Sequence, residues 1–290
     1  MSPPRASSST LQQFIRFSTD AYGLERLLRL LQSTVQILAS YPLLPSILAA
    51  ILCNQFPFSL VFPSTPKSYA VLTTPVLLTL RRRLALGRRY FRVFRFLEAF
   101  DSAHGVYVST VAVGLGVEGW LEVLGKMFNG MYLLLESATL VDDLIGGEGG
   151  WEGVWGVKMA KELNVEGQRF WFFSLLCGIV LGVVRLWNLR ADKTEKGVIK
   201  EGEKTEEAVQ RRKILADRRK KKTKLTKRLL ADLMDLAGPG KVVGWVPVDD
   251  GVVGLLMLAS TWLTGMEVWE RCGMEVVAAA AAAAAASPAP

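Results

Sequence analysis

The sequence predicts an all-α, membrane-associated helical bundle with amphipathic helices and about two transmembrane helices, and three observations carry that prediction. Half of the 290 residues are apolar and the mean hydropathy is +0.27, with the apolar residues gathered into long runs rather than short alternating strands. One of these runs, Phe170 to Leu189, is 20 residues long and contains a single charge, Arg185. A helix needs about 20 such residues to cross the hydrocarbon of a bilayer. Elsewhere the apolar residues recur at three- and four-residue steps, the spacing that lines one face of a helix.

Charge narrows the field of partners. The net charge is +8 and the excess is local: seven Arg lie between Arg81 and Arg95, and eleven Lys or Arg between Arg211 and Arg228. Both clusters seek anions, either nucleic acid or the anionic face of a membrane. Neither interleaved aromatics nor zinc-ligand spacing accompanies the run from Arg211 to Arg228, so nucleic acid is not its expected partner. The three cysteines, Cys53, Cys177 and Cys272, are odd in number and unpaired in spacing, which implies no disulfide framework and no metal site. Met1 to Thr10 has no apolar stretch behind it and does not read as a secretory signal.

The chain divides by composition. Residues 1–145 form an N-terminal helical region. It opens with Leu24, Leu27, Leu28, Leu31, Val35 and Leu38 on one face of a long amphipathic helix between Leu11 and Ala39. Leu43 to Phe62 is apolar but broken by Pro45, Asn54, Gln55 and Pro57, and is expected to be a buried or interfacial helix pair. Val106–Val113, Trp120–Leu124 and Met131–Leu144 supply further helices. A Gly-rich linker at 146–169 precedes the first transmembrane helix, 170–189, whose Arg185 is expected to snorkel toward the headgroups. A charged basic loop with a short helix, 190–251, leads to a second transmembrane helix at 252–270. Trp262 and Trp269 of that helix suit interfacial anchoring. Residues 271–290 are an Ala-rich tail.

The segment from Leu78 to Ala103 carries the functional expectation. Read as one helix at about 100° per residue, it gathers Arg81, Arg88, Arg92 and Arg95 on one face, with Arg89 and Arg82 at its flank and Arg83 as an exception. Leu86, Tyr90, Val93, Phe94, Leu97 and Phe100 lie opposite, and no acid precedes Glu98. A basic face against a bulky apolar face is the composition of a helix lying in a membrane interface, with its apolar side sunk by about 5–10 Å. Such insertion expands one leaflet more than the other, and the bilayer relieves the mismatch by bending. The rival reading is a helix packed into the protein's own core.

Three features carry no chemistry. Gly114-Leu115-Gly116-Val117-Glu118-Gly119, with Glu136 downstream, has the form of a dinucleotide fingerprint but lacks the alternating strands and helices of that fold. His104 has no Cys or second His beside it, and Asp142-Asp143 reads as a helix end or turn. No catalytic residue, metal ligand or cofactor is expected.

Phe14-Ile15-Arg16-Phe17 with Tyr22 to Gln32, Leu86-Gly87-Arg88-Arg89-Tyr90-Phe91-Arg92 with Phe96-Leu97-Glu98, and Leu230–Leu236 followed by Val253–Leu256, Ser260 and Trp269 together resemble the peroxisomal biogenesis factor 11 family. Leu24, where the family usually has a basic residue, and Phe94, where a Gly is common, depart from its pattern. The resemblance implies a peroxisomal membrane protein that elongates the membrane before fission, associates with itself and recruits division machinery including a dynamin-type GTPase. It implies lipid-phosphate contacts from Arg88, Arg89 and Arg92, joined on the same face by Arg81 and Arg95, and a wedge of Tyr90, Phe91, Phe94 and Leu97. A pore for small metabolites in the same membrane is the alternative that the family suggests.

Overall fold

The computed structural model describes residues 6–45, 47, 66–111, 114, 116–145, 153–195 and 205–286. Among them there are ten helices and no strand. The expected helix pair at 43–62 falls almost wholly outside the described residues. Two units account for the chain: residues 1–91 with 248–290, and residues 92–247.

The first unit holds α1 (Ala6–Thr19), α2 (Ala21–Ser40), α3 (Pro66–Tyr90) and α10 (Asp250–Ala286). The sequence predicts one helix over 11–39, but the chain breaks at Asp20. That residue leaves the helical region (φ −75°, ψ 132°) and its carboxylate accepts from the backbone N–H of Tyr22 and Gly23, capping α2. The α1–α2 turn is tight: a Cβ at Gly23 would stand 2.0 Å from the Phe17 carbonyl oxygen, so only glycine fits. Helix α10 packs along α2, and α3 packs against α2 as well.

The second unit holds α4 (Arg95–Val111), α5 (Val117–Ala138), α6 (Leu140–Ile145), α7 (Val157–Glu195), α8 (Thr205–Asp235) and α9 (Ala237–Val243). Helix α7 is its axis, flanked by α5, α8 and α9. Tyr132 stacks on Trp171 at 5.2 Å between ring centroids, Phe128 stacks on Phe170 at 6.2 Å, and Ser174 Oγ donates to the Gly125 carbonyl at 2.8 Å. On α8, Leu229 and Asp232 sit over Gly182 and Gly178 of α7.

Two boundaries differ from the sequence expectation. The Gly-rich linker ends at Gly156, in a left-handed conformation (φ +77°), and α7 starts at Val157, well before residue 170. The charged loop expected at 190–251 is, over 205–235, one 31-residue helix. Lys and Arg have high helix propensity, no Gly or Pro interrupts the stretch, and its C-terminal end is held on α7. Val106–Val113, expected to supply a helix, is helical through Val111.

Candidate membrane-active site

The segment Leu78–Ala103 is not one helix. Helix α3 ends at Tyr90, residues 91–94 form a turn, and α4 starts at Arg95. The turn is closed by three-residue bonds, Arg95 N–H to the Arg92 carbonyl at 3.0 Å and Leu97 N–H to the Phe94 carbonyl at 3.1 Å. Tyr90, Phe91, Val93 and Phe94 are weak helix formers, because bulky or branched side chains lose rotamer freedom against the preceding turn. A tertiary bond compensates the break: Ser137 Oγ of α5 donates to the Val93 carbonyl at 2.7 Å.

The two faces fare differently. The wedge residues are exposed: Phe94 at 75%, Leu97 at 57%, Tyr90 at 51% and Phe91 at 45%. Taking a fully exposed group of this size into an apolar phase is worth roughly 1.5–3 kcal/mol, and proportionately less for those already half covered. The arginines, by contrast, are largely engaged with acids of the protein itself. Arg88 is 8% exposed, and its Nη2 lies 3.2 Å from Glu25 Oε1 while its Nη1 donates to Gln32 Oε1 at 2.8 Å, both on α2. Arg92 Nη2 donates to Glu136 Oε1 at 2.7 Å, and Tyr132 donates to the same oxygen at 3.0 Å. Arg81 lies 3.6 Å from Asp250, and Arg95 lies 3.9 Å from Glu98. Arg82 and Arg83 are exposed, and Arg89 is half-buried.

A lipid-phosphate role for Arg88 and Arg92 therefore competes with buried ion pairs. The sequence reading missed those pairs because Glu25, Glu136 and Asp250 lie far away in sequence. Helical spacing on α2 was the only available signal, since Glu25, Arg29, Ser33 and Gln36 recur along one side of it.

The apolar helices complete the picture. Helices α7 and α10 are long and apolar enough to cross a membrane over 157–190 and 250–282, and only 6% and 22% of their most apolar stretches are buried inside the protein. The core helix of a soluble protein would be mostly buried, whereas most residues of these two stretches keep part of their surface outside the protein. Arg185 does not extend alone toward headgroups: it is paired with Glu122, and its Nε lies 3.5 Å from Glu118, both on α5. Asp142 accepts from the Trp155 N–H at 3.0 Å, bridging α6 to the turn before α7. Among the described residues no group of three or more His, Cys, Asp or Glu is arranged to hold a metal.

Fold and site thus define an all-helical protein with two helices suited to crossing a membrane and exposed aromatic side chains at Tyr90, Phe91 and Phe94. Residues 68–269, more than two thirds of the chain, match the family model of peroxisomal biogenesis factor 11 (PEX11), and the chain belongs to that family. Membership gives it a role in peroxisome biogenesis, in a family of biogenesis factors rather than of enzymes. No curated protein and no solved structure matches the chain.

Proposed function

We propose that the protein sits in the peroxisomal membrane and curves and elongates it, promoting peroxisome proliferation and fission, by sinking the apolar residues around the α3–α4 junction into one leaflet. The observation that carries this reading is the exposure of Tyr90, Phe91, Phe94 and Leu97 in a stretch otherwise rich in arginine. Apolar side chains at the acyl boundary expand the leaflet they enter, and basic neighbours favour an anionic surface.

The phosphate contacts belong to Arg82, Arg83 and Arg89, together with Arg95, whose exposed 3.9 Å pair with Glu98 is worth under about 1 kcal/mol and exchanges readily for a phosphate. Arg88 and Arg92 hold the fold. Self-association and recruitment of fission machinery, a dynamin-type GTPase included, complete the proposal on the strength of the family resemblance.

The test is reconstitution of the full chain into phosphatidylcholine–phosphatidylserine vesicles, with tubulation scored by electron microscopy. The wild-type chain tubulates. Phe94→Glu with Leu97→Glu leaves incorporation intact and abolishes tubules; undiminished tubulation by the double variant overturns the reading.

A further inference from the structure

We propose that α2 is a third membrane-embedded helix, lying inside the bilayer beside α10 although its composition does not mark it as a span. The proposal rests on α10 crossing the membrane and asks what must accompany it there.

Register gives the first argument. Gln36 Nε2 donates to the Asp250 carbonyl at 2.7 Å, a Cβ at Gly254 would lie 3.0 Å from Ile37, Arg29 Nη2 lies 3.5 Å from Ser260 Oγ, and Arg271 Nη2 donates to Asp20 Oδ2 at 2.9 Å. As α2 numbers fall from 36 to 20, α10 numbers rise from 250 to 271. The helices are antiparallel neighbours along nearly the whole length of α2. Its 20 residues at about 1.5 Å each span roughly 30 Å, the thickness of the hydrocarbon. Whatever depth α10 reaches, α2 reaches beside it.

The direction of the side chains gives the second. On α2 the buried residues are Gly23, Glu25, Arg29, Ser33, Val35 and Gln36, five of the six polar or glycine. Leu24, Leu27, Leu28, Leu30 and Leu38 are only half-buried and Leu31 is 44% exposed. On α10, Ser260 and Thr261 are sealed in while Leu255, Trp262 and Met266 face outward. A helix on a water-soluble protein turns the other way, with its polar side to solvent. Polar groups sealed inward, with Leu31 exposed and the other leucines partly so, fit a surround of acyl chains, where ionisable residues must find partners within the bundle. Glu25 finds Arg88 of α3, and Arg29 reaches Ser260.

The third argument is where the ion pairs made by α10 fall. Arg271 with Asp20 and Arg16 with Glu275 at 2.8 Å gather at one end, and Arg81 with Asp250 at the other. Those are the two levels at which headgroups and water meet the helices. The outward leucine face continues the outward apolar face of α10, and its occupant is the lipid hydrocarbon.

Site-directed spin labelling tests this on the full chain with its three native cysteines replaced by Ser, reconstituted in phosphatidylcholine–phosphatidylserine vesicles. Single cysteines at Leu31, Thr34 and Leu255 are labelled in turn, and collisions with oxygen and with a water-soluble nickel chelate are measured. The proposal expects the Leu31 and Thr34 labels to meet oxygen and escape the chelate, as the Leu255 label on α10 does. Chelate access at Leu31 and Thr34 with a shielded Leu255 overturns it while leaving α10 as a span. Chelate access at all three removes the span reading itself, and the proposal with it.

Discussion

Replacing Glu25 by Gln separates a structural arginine from a lipid-binding one. Arg88 and Glu25 are 8% and 3% exposed, and their charged atoms lie 3.2 Å apart. At an effective dielectric constant of about 20, opposite unit charges at that separation attract by roughly 5 kcal/mol, most of it offset by the desolvation of both groups. Glu25→Gln removes the counter-charge but keeps the shape, and Arg88 retains the Gln32 carbonyl oxygen at 2.8 Å. Loss of one partner of a buried pair costs about 3–5 kcal/mol, and the surviving bond places this case near the lower end, at about 3 kcal/mol. Combining Glu25→Gln with Arg88→Met removes both charges and should return stability to within about 1 kcal/mol of wild type, because the isolated buried cation is gone. A graded SDS unfolding titration of the detergent-solubilised chain reads these differences. A cost under about 0.5 kcal/mol for Glu25→Gln would refute the buried-pair account and return Arg88 to the candidates for phosphate binding.

Two further substitutions probe the second unit. Glu118→Gln with Glu122→Gln strands Arg185 in the apolar stretch of α7 and should cost about 2–3 kcal/mol in the same titration; Arg185→Leu on that background should recover most of it, and no recovery would deny the pairing. Gly130→Ala sets a Cβ 2.5 Å from Phe100 Cε1 and should cost about 1–3 kcal/mol by overpacking the α4–α5 contact; Phe100→Leu should relieve it, and an unchanged midpoint for Gly130→Ala alone would show that the contact is loose.

Much of the fold is legible in the sequence because it follows from local pattern. The apolar run at 170–189 and the stretch from Val252 announce α7 and α10, and three- and four-residue spacing announces the helices around them. The side chains of Tyr90, Phe91, Phe94 and Leu97 are exposed, but the turn at 91–94 means that they do not share the single helix face the sequence suggests. What escapes the sequence is tertiary. No local rule tells Arg88 that its partner is Glu25, 63 residues away, or Arg185 that its partner is Glu122. The break at 91–94 escapes for a related reason: residues 78–103 keep a helical period throughout. The turn is tolerated only because Ser137 meets the Val93 carbonyl and Glu136 holds Arg92.

These long-range pairs change how the wedge must work. In an isolated amphipathic peptide, arginines would be free to find phosphates, and the helix would fold on arrival at the membrane. Here Arg88 is tied to α2 in the first unit and Arg92 to α5 in the second, so the chain on either side of Phe91 is fastened to a helix of its own unit without any lipid phosphate. The ordering entropy, about 1–2 kcal/mol for each backbone residue fixed, is then met by folding rather than by binding. More of the energy of burying Phe94 and Leu97 remains to strain the leaflet. A variant in which Arg88 and Arg92 are both neutralised should therefore still bind anionic vesicles through Arg82, Arg83 and its aromatics, yet tubulate them less at equal surface density. Equal tubulation by that double substitution would mean that the wedge acts as a free peptide does.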